Sequence, residues 1–201
     1  MTDAPLVIPV YFDFASILCY AAHRVMGRLA APLDGLGIVL DWRPIDLARI
    51  TGWKRGVDVV GRRRAHVLRV ARELAGLARM PPQWIDSRPA AAVTLALRGT
   101  AKEPAWRERV WTAVFEEGRD PEDDGELAAW ARDLELDDAV LDVRIAAVDA
   151  ETDRARAFGV DGVPTFLLGP WPMPGIQEDA TMLALLQRYA ERQRRDPPSG
   201  G

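Results

Sequence analysis

Hydrophobic and polar positions change rhythm five times along this chain. Residues 6–14, LVIPVYFDF, are a dense run of β-branched and aromatic residues, which predicts a strand. From Ser16 the apolar positions shift to helical spacing through SILCYAAHRVMGRLAAP, with the serine placed to cap the first turn. GIVLDWRP then predicts a second buried strand. A β-α-β opening favours a parallel pair joined by a crossover helix.

From about residue 45 to 158 the period is helical almost throughout, roughly 110 residues with no strand pattern. RRRAHVLRVARELAGLARM carries arginines between its apolar positions. SRPAAAVTLALRG begins with a serine cap followed by proline, and EPAWRERVWTAVFEEG ends on a glycine. DPEDDGELAAWARDLEL and DVRIAAVDAETDRARAFG predict further helices. The β rhythm returns in GVDGVPTFLLGPWPMPG as a short strand, a turn and an edge strand, and EDATMLALLQRYAERQ closes the pattern as an amphipathic helix. Neither end has enough strands to make a sheet alone, so the two ends must share one. The expected architecture is an α/β domain from residues 1–44 and 150–195, an all-helical insertion at 45–149, and a disordered tail at 196–201.

Composition narrows the function classes. The 201 residues are 48% hydrophobic and 28% charged with a formal net charge of −4, an ordinary globular balance without a nucleic-acid footprint. No apolar run reaches the ~18 residues of a membrane span, and the N-terminus lacks the three-part pattern of a signal peptide, so a cytoplasmic location is expected. Two histidines and one cysteine without paired spacing make no zinc set, and neither a G-x-G-x-x-G fingerprint nor a P-loop occurs.

The single cysteine rules out a two-cysteine redox couple within the chain. Cys19 lies one turn into the first helix, three residues after Ser16. First-turn amides and the helix dipole favour a thiolate at such a place, whether it belongs to the protein or to a ligand. His23, at i+4, shares the helix face of Cys19 and is a candidate modulator. The alternative is a small core thiol and a surface histidine. Val163-Pro164 opens the later strand, as a cis bond that presents backbone to a ligand or as an ordinary trans proline at a strand entry. Lys54, Arg55, Arg62, Arg63, Arg64, Arg69 and Arg72 either attract an acidic ligand or form a solvated face. Trp42, Trp53 and Trp84 either line a pocket or pack the insertion onto the sheet.

Together these features resemble the DsbA-like branch of the thioredoxin superfamily over residues 6–192. That branch includes FrnE-type disulfide oxidoreductases, 2-hydroxychromene-2-carboxylate isomerases and kappa-class glutathione transferases. DFASILCY is similar to the FrnE-type D-x-x-C-P-W-C-Y with Ser16 at the first cysteine, and to the D-x-x-S-P-Y-S-Y of the isomerases and transferases with Cys19 at the second serine. GVDGVPTF resembles the proline loop of the branch, and GIQ at 175–177 resembles the G-A-Q of the FrnE type, where the isomerases carry G-N-D.

The resemblance implies a thioredoxin-like fold with a helical insertion and an enzyme that uses glutathione as cosubstrate. With Ser16 in place of the attacking cysteine, dithiol exchange is not available. Ser16 is then implied to hydrogen-bond the glutathione sulfur, and the Val163 backbone before Pro164 to pair with the glutathione peptide. Arg43, after the second strand, lies near the ligand position of the branch, and Gln177 or Glu178 substitutes for the missing acid. A small-molecule substrate enters between sheet and insertion, for isomerisation or conjugation. Two further readings stand beside this one: a monothiol oxidoreductase using Cys19, and a binding module that has lost catalysis. Relatives often pair, so the resemblance also admits a homodimer.

Overall fold

The computed structural model describes residues 4–52, 62–76, 78–81, 83–142 and 144–195. The elements run in the expected order: β1 (Leu6–Phe12), α1 (Ile17–Arg28), α2 (Ala30–Gly35), β2 (Ile38–Pro44), α3 (Leu47–Thr51), α4 (Arg62–Ala75), α5 (Arg88–Leu97), α6 (Glu103–Thr112), α7 (Asp124–Asp133), α8 (Ile145–Ala157), β3 (Thr165–Leu168), β4 (Trp171–Pro174) and α9 (Asp179–Arg195). A π-helical turn, Ala113–Glu117, extends α6 and is closed by Gly118 at φ +74°. The α/β fold with a helical insertion is the one read from the sequence. The proposed tail at 196–201, together with Trp53, Lys54 and Arg55, lies outside the described residues, as do the side chains of Arg62 and Arg63.

One four-stranded sheet, ordered β2-β1-β3-β4, is assembled from both ends of the chain. β1 pairs parallel with β2 from Leu6↔Ile38 to Phe12↔Pro44 and antiparallel with β3 at Val10↔Phe166 and Tyr11↔Thr165. Pro9 interrupts the donors of β1, and the pairing with β3 stops one residue short of it. β4 pairs antiparallel with β3, placing Pro172 opposite Leu167 and Pro174 opposite Thr165. The N–H of Gly175 points inward to the Pro164 carbonyl at 2.7 Å, so by alternation positions 172 and 174 face outward. Both are prolines, and the outer edge of the sheet has no N–H at either place.

Strand alternation sets the layers. Ile8, Val10 and Phe12 face the larger core, which also takes in Ala21, Ala22 and Val25 of α1 and Leu186 and Ala190 of α9. Tyr11 and Leu167 face the other side, under Ala155 of α8 and Val160. The larger core runs without a break into the insertion through Trp106, Val110, Trp111, Phe115 and Trp130, which are all fully buried. Trp111 is the hub. Its ring centroid lies 5.0 Å from Phe12, 5.1 Å from Phe14, 5.7 Å from Trp42 and 4.6 Å from His23. The buried Arg107, paired with Glu103 at 2.7 Å, lies 4.7 Å from the Trp42 ring centroid and adds a cation–π contact. Trp42 packs in this hub, and Trp84 is buried in a separate small cluster with Ala15, Leu47 and Ala48.

A polar latch binds α1 to the insertion beside this hub. Arg24 donates to Glu108 at 2.7 Å and to Glu116, and the Tyr20 hydroxyl donates to Glu116 at 2.8 Å. His23 Nε2 meets the other Glu108 oxygen. The bond from His23, with Arg24 close by, holds the Glu108 carboxyl down at about 2. Burial, with Arg107 and Arg24 adding to it, lowers the His23 pKa below its ordinary value, so the ring is neutral at neutral pH and donates Nε2–H to Glu108.

Both shifts act in one direction. A carboxyl depressed on folding contributes stability above about 4.5 that is lost as pH falls toward 2. A histidine depressed on folding contributes stability above about 6.5 that is lost as pH falls through its lowered value. Denaturant melts from pH 7 to pH 3 are therefore expected to show the parent losing stability more steeply than Glu108→Gln. Parallel curves would remove the latch from the account of acid sensitivity.

Candidate functional site

The turn between β1 and α1 must change direction within four residues, and its hydrogen bonds come from Asp13. The Asp13 carbonyl accepts the Ser16 N–H at 3.0 Å. One carboxylate oxygen accepts the Ala15 N–H at 2.8 Å and the Ser87 hydroxyl at 2.5 Å, and the other accepts the Leu47 N–H at 2.8 Å. Asp13 is 2% exposed, and this burial pushes its pKa up to about 6 against the pull of those three bonds. Ser87 does not cap α5 with its side chain as its sequence position predicts, because its hydroxyl is committed to Asp13.

Ser16 is the N-cap of α1, at φ −94° and ψ 112°, with its carbonyl receiving the N–H groups of Cys19 at 2.9 Å and Tyr20 at 3.2 Å. Its hydroxyl makes no cap bond, which departs from the expected capping role. It lies within hydrogen-bond reach of the Cys19 sulfur instead. The N–H groups of Ile17 and Leu18 therefore open the helix without an intrahelical acceptor, beside Ser16.

Cys19 is fully buried in the larger core, and desolvation pushes its thiol up to about 12 even though hydrogen bonds from Ser16 and from the Asp13 backbone N–H pull it down. An attacking Cys19, as the monothiol oxidoreductase reading requires, would have to leave the core: the helix dipole acts on a buried thiol whose pKa desolvation has raised. His23, the candidate modulator, turns toward Glu108 and Trp111.

The Val163–Pro164 peptide is cis. β3 begins at Thr165 opposite Tyr11, so Val163 lies just ahead of the ladder, and its side chain packs on the cluster of Ala15, Leu47, Ala48 and Trp84. Sheet register and packing thus bring Val163-Pro164 beside the Asp13–Ser16 turn. Gln177 and Glu178 are exposed just before α9, while their neighbour Asp179 is held by Arg28 at 2.6 Å. Arg43 lies within β2 on the face of Tyr11, where it pairs with Asp41 at 2.8 Å and the buried Glu151 at 3.5 Å. In the basic stretch, Arg69 pairs with Glu73 at 2.7 Å and Arg72 donates to the Ala78 carbonyl at 3.2 Å. Among the described residues no group of three histidine, cysteine, aspartate or glutamate side chains is placed to hold a metal, and no helix is long and apolar enough to cross a membrane.

Asp13 and Ser87 are the residues that the sequence analysis did not single out. Asp13 had a signal in the motif itself, as its first letter. Ser87 had none, because it is 74 residues away and reads as a helix cap.

Residues 7–187 match the DSBA-like thioredoxin domain. No curated protein matches the chain. Among solved structures it is similar to a 2-hydroxychromene-2-carboxylate isomerase, at 25% identity and a TM-score of 0.72, over 96% of this chain and 100% of that one. It has the fold of a probable DsbA oxidoreductase from Streptomyces coelicolor, at 18% identity and a TM-score of 0.71, over 98% and 94%. It also has the fold of the cytosolic disulfide reductase DsbM from Pseudomonas aeruginosa, solved with GSH, at 21% identity and a TM-score of 0.63, over 94% and 100%.

Two outcomes follow from the geometry. Alkylation of Cys19 by iodoacetamide at pH 8 is expected to be more than about a hundredfold slower in the native protein than after unfolding. Comparable rates would refute the sealed thiol. Asp13→Asn sets an amide N–H₂ against an existing donor, so urea melts at pH 7 are expected to lose about 1–3 kcal/mol. An unchanged midpoint would deny Asp13 its structural role.

Proposed function

The chain belongs to the DSBA-like thioredoxin domain family, and from that premise we propose that it is a glutathione-dependent enzyme acting on a small, partly apolar molecule. Ser16 holds the glutathione sulfur as a thiolate. One observation carries the reading: the only cysteine of the chain is sealed in the core with its thiol pushed up to about 12. A thiolate working at the start of α1 is then borrowed. The likeness to an isomerase at 25% identity, and the GSH held by the DsbM structure, support the same choice.

The residues at the site fit such a cosubstrate. The Ser16 hydroxyl turns from Cys19 to donate to the incoming sulfur, and the open N–H groups of Ile17 and Leu18 add the positive end of the α1 dipole. The backbone of Val163, two residues ahead of β3, offers its peptide group to the glutathione backbone as an added strand. Gln177 or Glu178 faces the α-amino end. Arg43 is paired with Asp41 and Glu151 and would have to exchange those partners to reach a ligand.

A thiolate held in this way bonds to an electrophilic carbon of the substrate. In isomerisation the electrons of a conjugated double bond move to its acceptor group, rotation follows about the new single bond, and the thiolate leaves with its electron pair. In conjugation the carbon–sulfur bond stays and a leaving group departs with its pair. Glutathione is regenerated in the first case and consumed in the second. We favour isomerisation, because the 25%-identical structure is an isomerase.

Calorimetric titration of the Cys19→Ala protein with reduced glutathione tests the reading free of mixed disulfides. Saturable binding is expected, weakened about tenfold or more by Ser16→Ala, since a hydrogen bond to a charged group contributes ~1.5–3 kcal/mol. No binding up to millimolar concentration would sink the proposal and leave the non-catalytic binding module in its place.

A further inference from the structure

Three segments donate to the Asp13 carboxylate: the turn between β1 and α1 through Ala15, the start of α3 through Leu47, and the start of α5 through Ser87. Two of these donors are backbone groups, present whatever side chains surround them. The third depends on the identity of residue 87. Ser87 is 4% exposed, and Asp86 rather than Ser87 accepts the Arg88 N–H, at 3.1 Å, at the start of α5. The serine at this helix start is therefore spent on a residue 74 positions away.

We propose that Ser87 is a positioning residue for Ser16, acting from the insertion through the Asp13 carboxylate. The Asp13 carbonyl holds the Ser16 N–H, so a rotation of Asp13 carries the Ser16 backbone with it. Ser87 also differs in kind from the other two donors. A backbone N–H only donates, whereas a hydroxyl both donates and accepts. When Asp13 is ionised, Ser87 donates to it. When Asp13 takes up a proton, Ser87 is the one partner of the three able to accept a hydrogen bond from the carboxyl O–H. The hydroxyl thus keeps the insertion joined to the turn in both charge states. The titratable groups facing Asp13 are Asp46, which caps α3, and Cys19. The consequence for a bound sulfur rests on the glutathione reading; the hold on the turn does not.

The test compares the parent with Ser87→Ala and Ser87→Thr. The Asp13 carboxyl is titrated by carbon-13 NMR and assigned with Asp13→Asn, amide hydrogen exchange is followed across residues 13–20, and each protein is titrated with reduced glutathione. Ser87→Ala is expected to raise the Asp13 midpoint by about one pH unit. It is also expected to speed exchange of the Ala15 and Ser16 amides about tenfold while α9 stays protected, which separates local loosening from unfolding. Glutathione binding weakens several-fold in the same variant, and Ser87→Thr, which keeps the hydroxyl, stays near the parent in all three. An unmoved midpoint or unchanged exchange overturns the proposal, as does parental glutathione binding by Ser87→Ala. A parent that binds no glutathione, with midpoint and exchange responding as stated, defeats the function reading and leaves the hold of Ser87 on the turn standing.

Discussion

A carboxylate taken out of water survives only where donors replace the water, and Asp13 is the point at which this fold supplies them. Its two oxygens collect an amide from the β1–α1 turn, an amide from the start of α3 and a hydroxyl from the start of α5. Each of those groups is buried, and each would otherwise have to find another acceptor. The turn after β1, the start of α3 and the start of α5 meet at one side chain. The cost appears in the pKa of about 6, which records how strongly burial opposes the charge.

Around that point the insertion is a continuation of the sheet's own core. Trp111 of α6 lies against Phe12 and Phe14, which are β1 and turn residues, while Arg107 spreads over Trp42. On the α1 side, Arg24 and His23 grip Glu108. Aromatic packing gives this junction its apolar energy, and the charged latch gives it orientation, since a guanidinium forked between two glutamates tolerates little rotation. Both meet on α1, the helix whose start carries Ser16.

Much of this was legible in sequence, for physical reasons. The period of the apolar residues gave strands and helices in their correct order, because burial on one or two faces imposes that period. Ser16 and Val163-Pro164 could be singled out because helix starts and strand-entry prolines are local features. What was not legible depended on distant partners. The state of Cys19 follows from walls that close over it only when the core assembles. Ser87 has the local look of a cap, and a contact across 74 residues redirects its hydroxyl. Arg43 sits at a promising place in the chain, yet strand alternation sends it to the opposite face, where Asp41 and Glu151 claim it. Sequence spacing says which residues are near in the chain; it does not say which face wins them.

The two prolines of β4 have a consequence of another kind. A sheet with a free margin is a template on which copies of the same chain can zip together, and crowded solutions make that contest constant. At positions 172 and 174 the margin has carbonyls but no hydrogens to offer, so a strand arriving from a neighbouring molecule would find every second rung of the ladder missing. The outer margin beyond β4 is thereby guarded against fibrous growth, at no expense to the hairpin, whose inward rungs at Trp171, Met173 and Gly175 keep their donors.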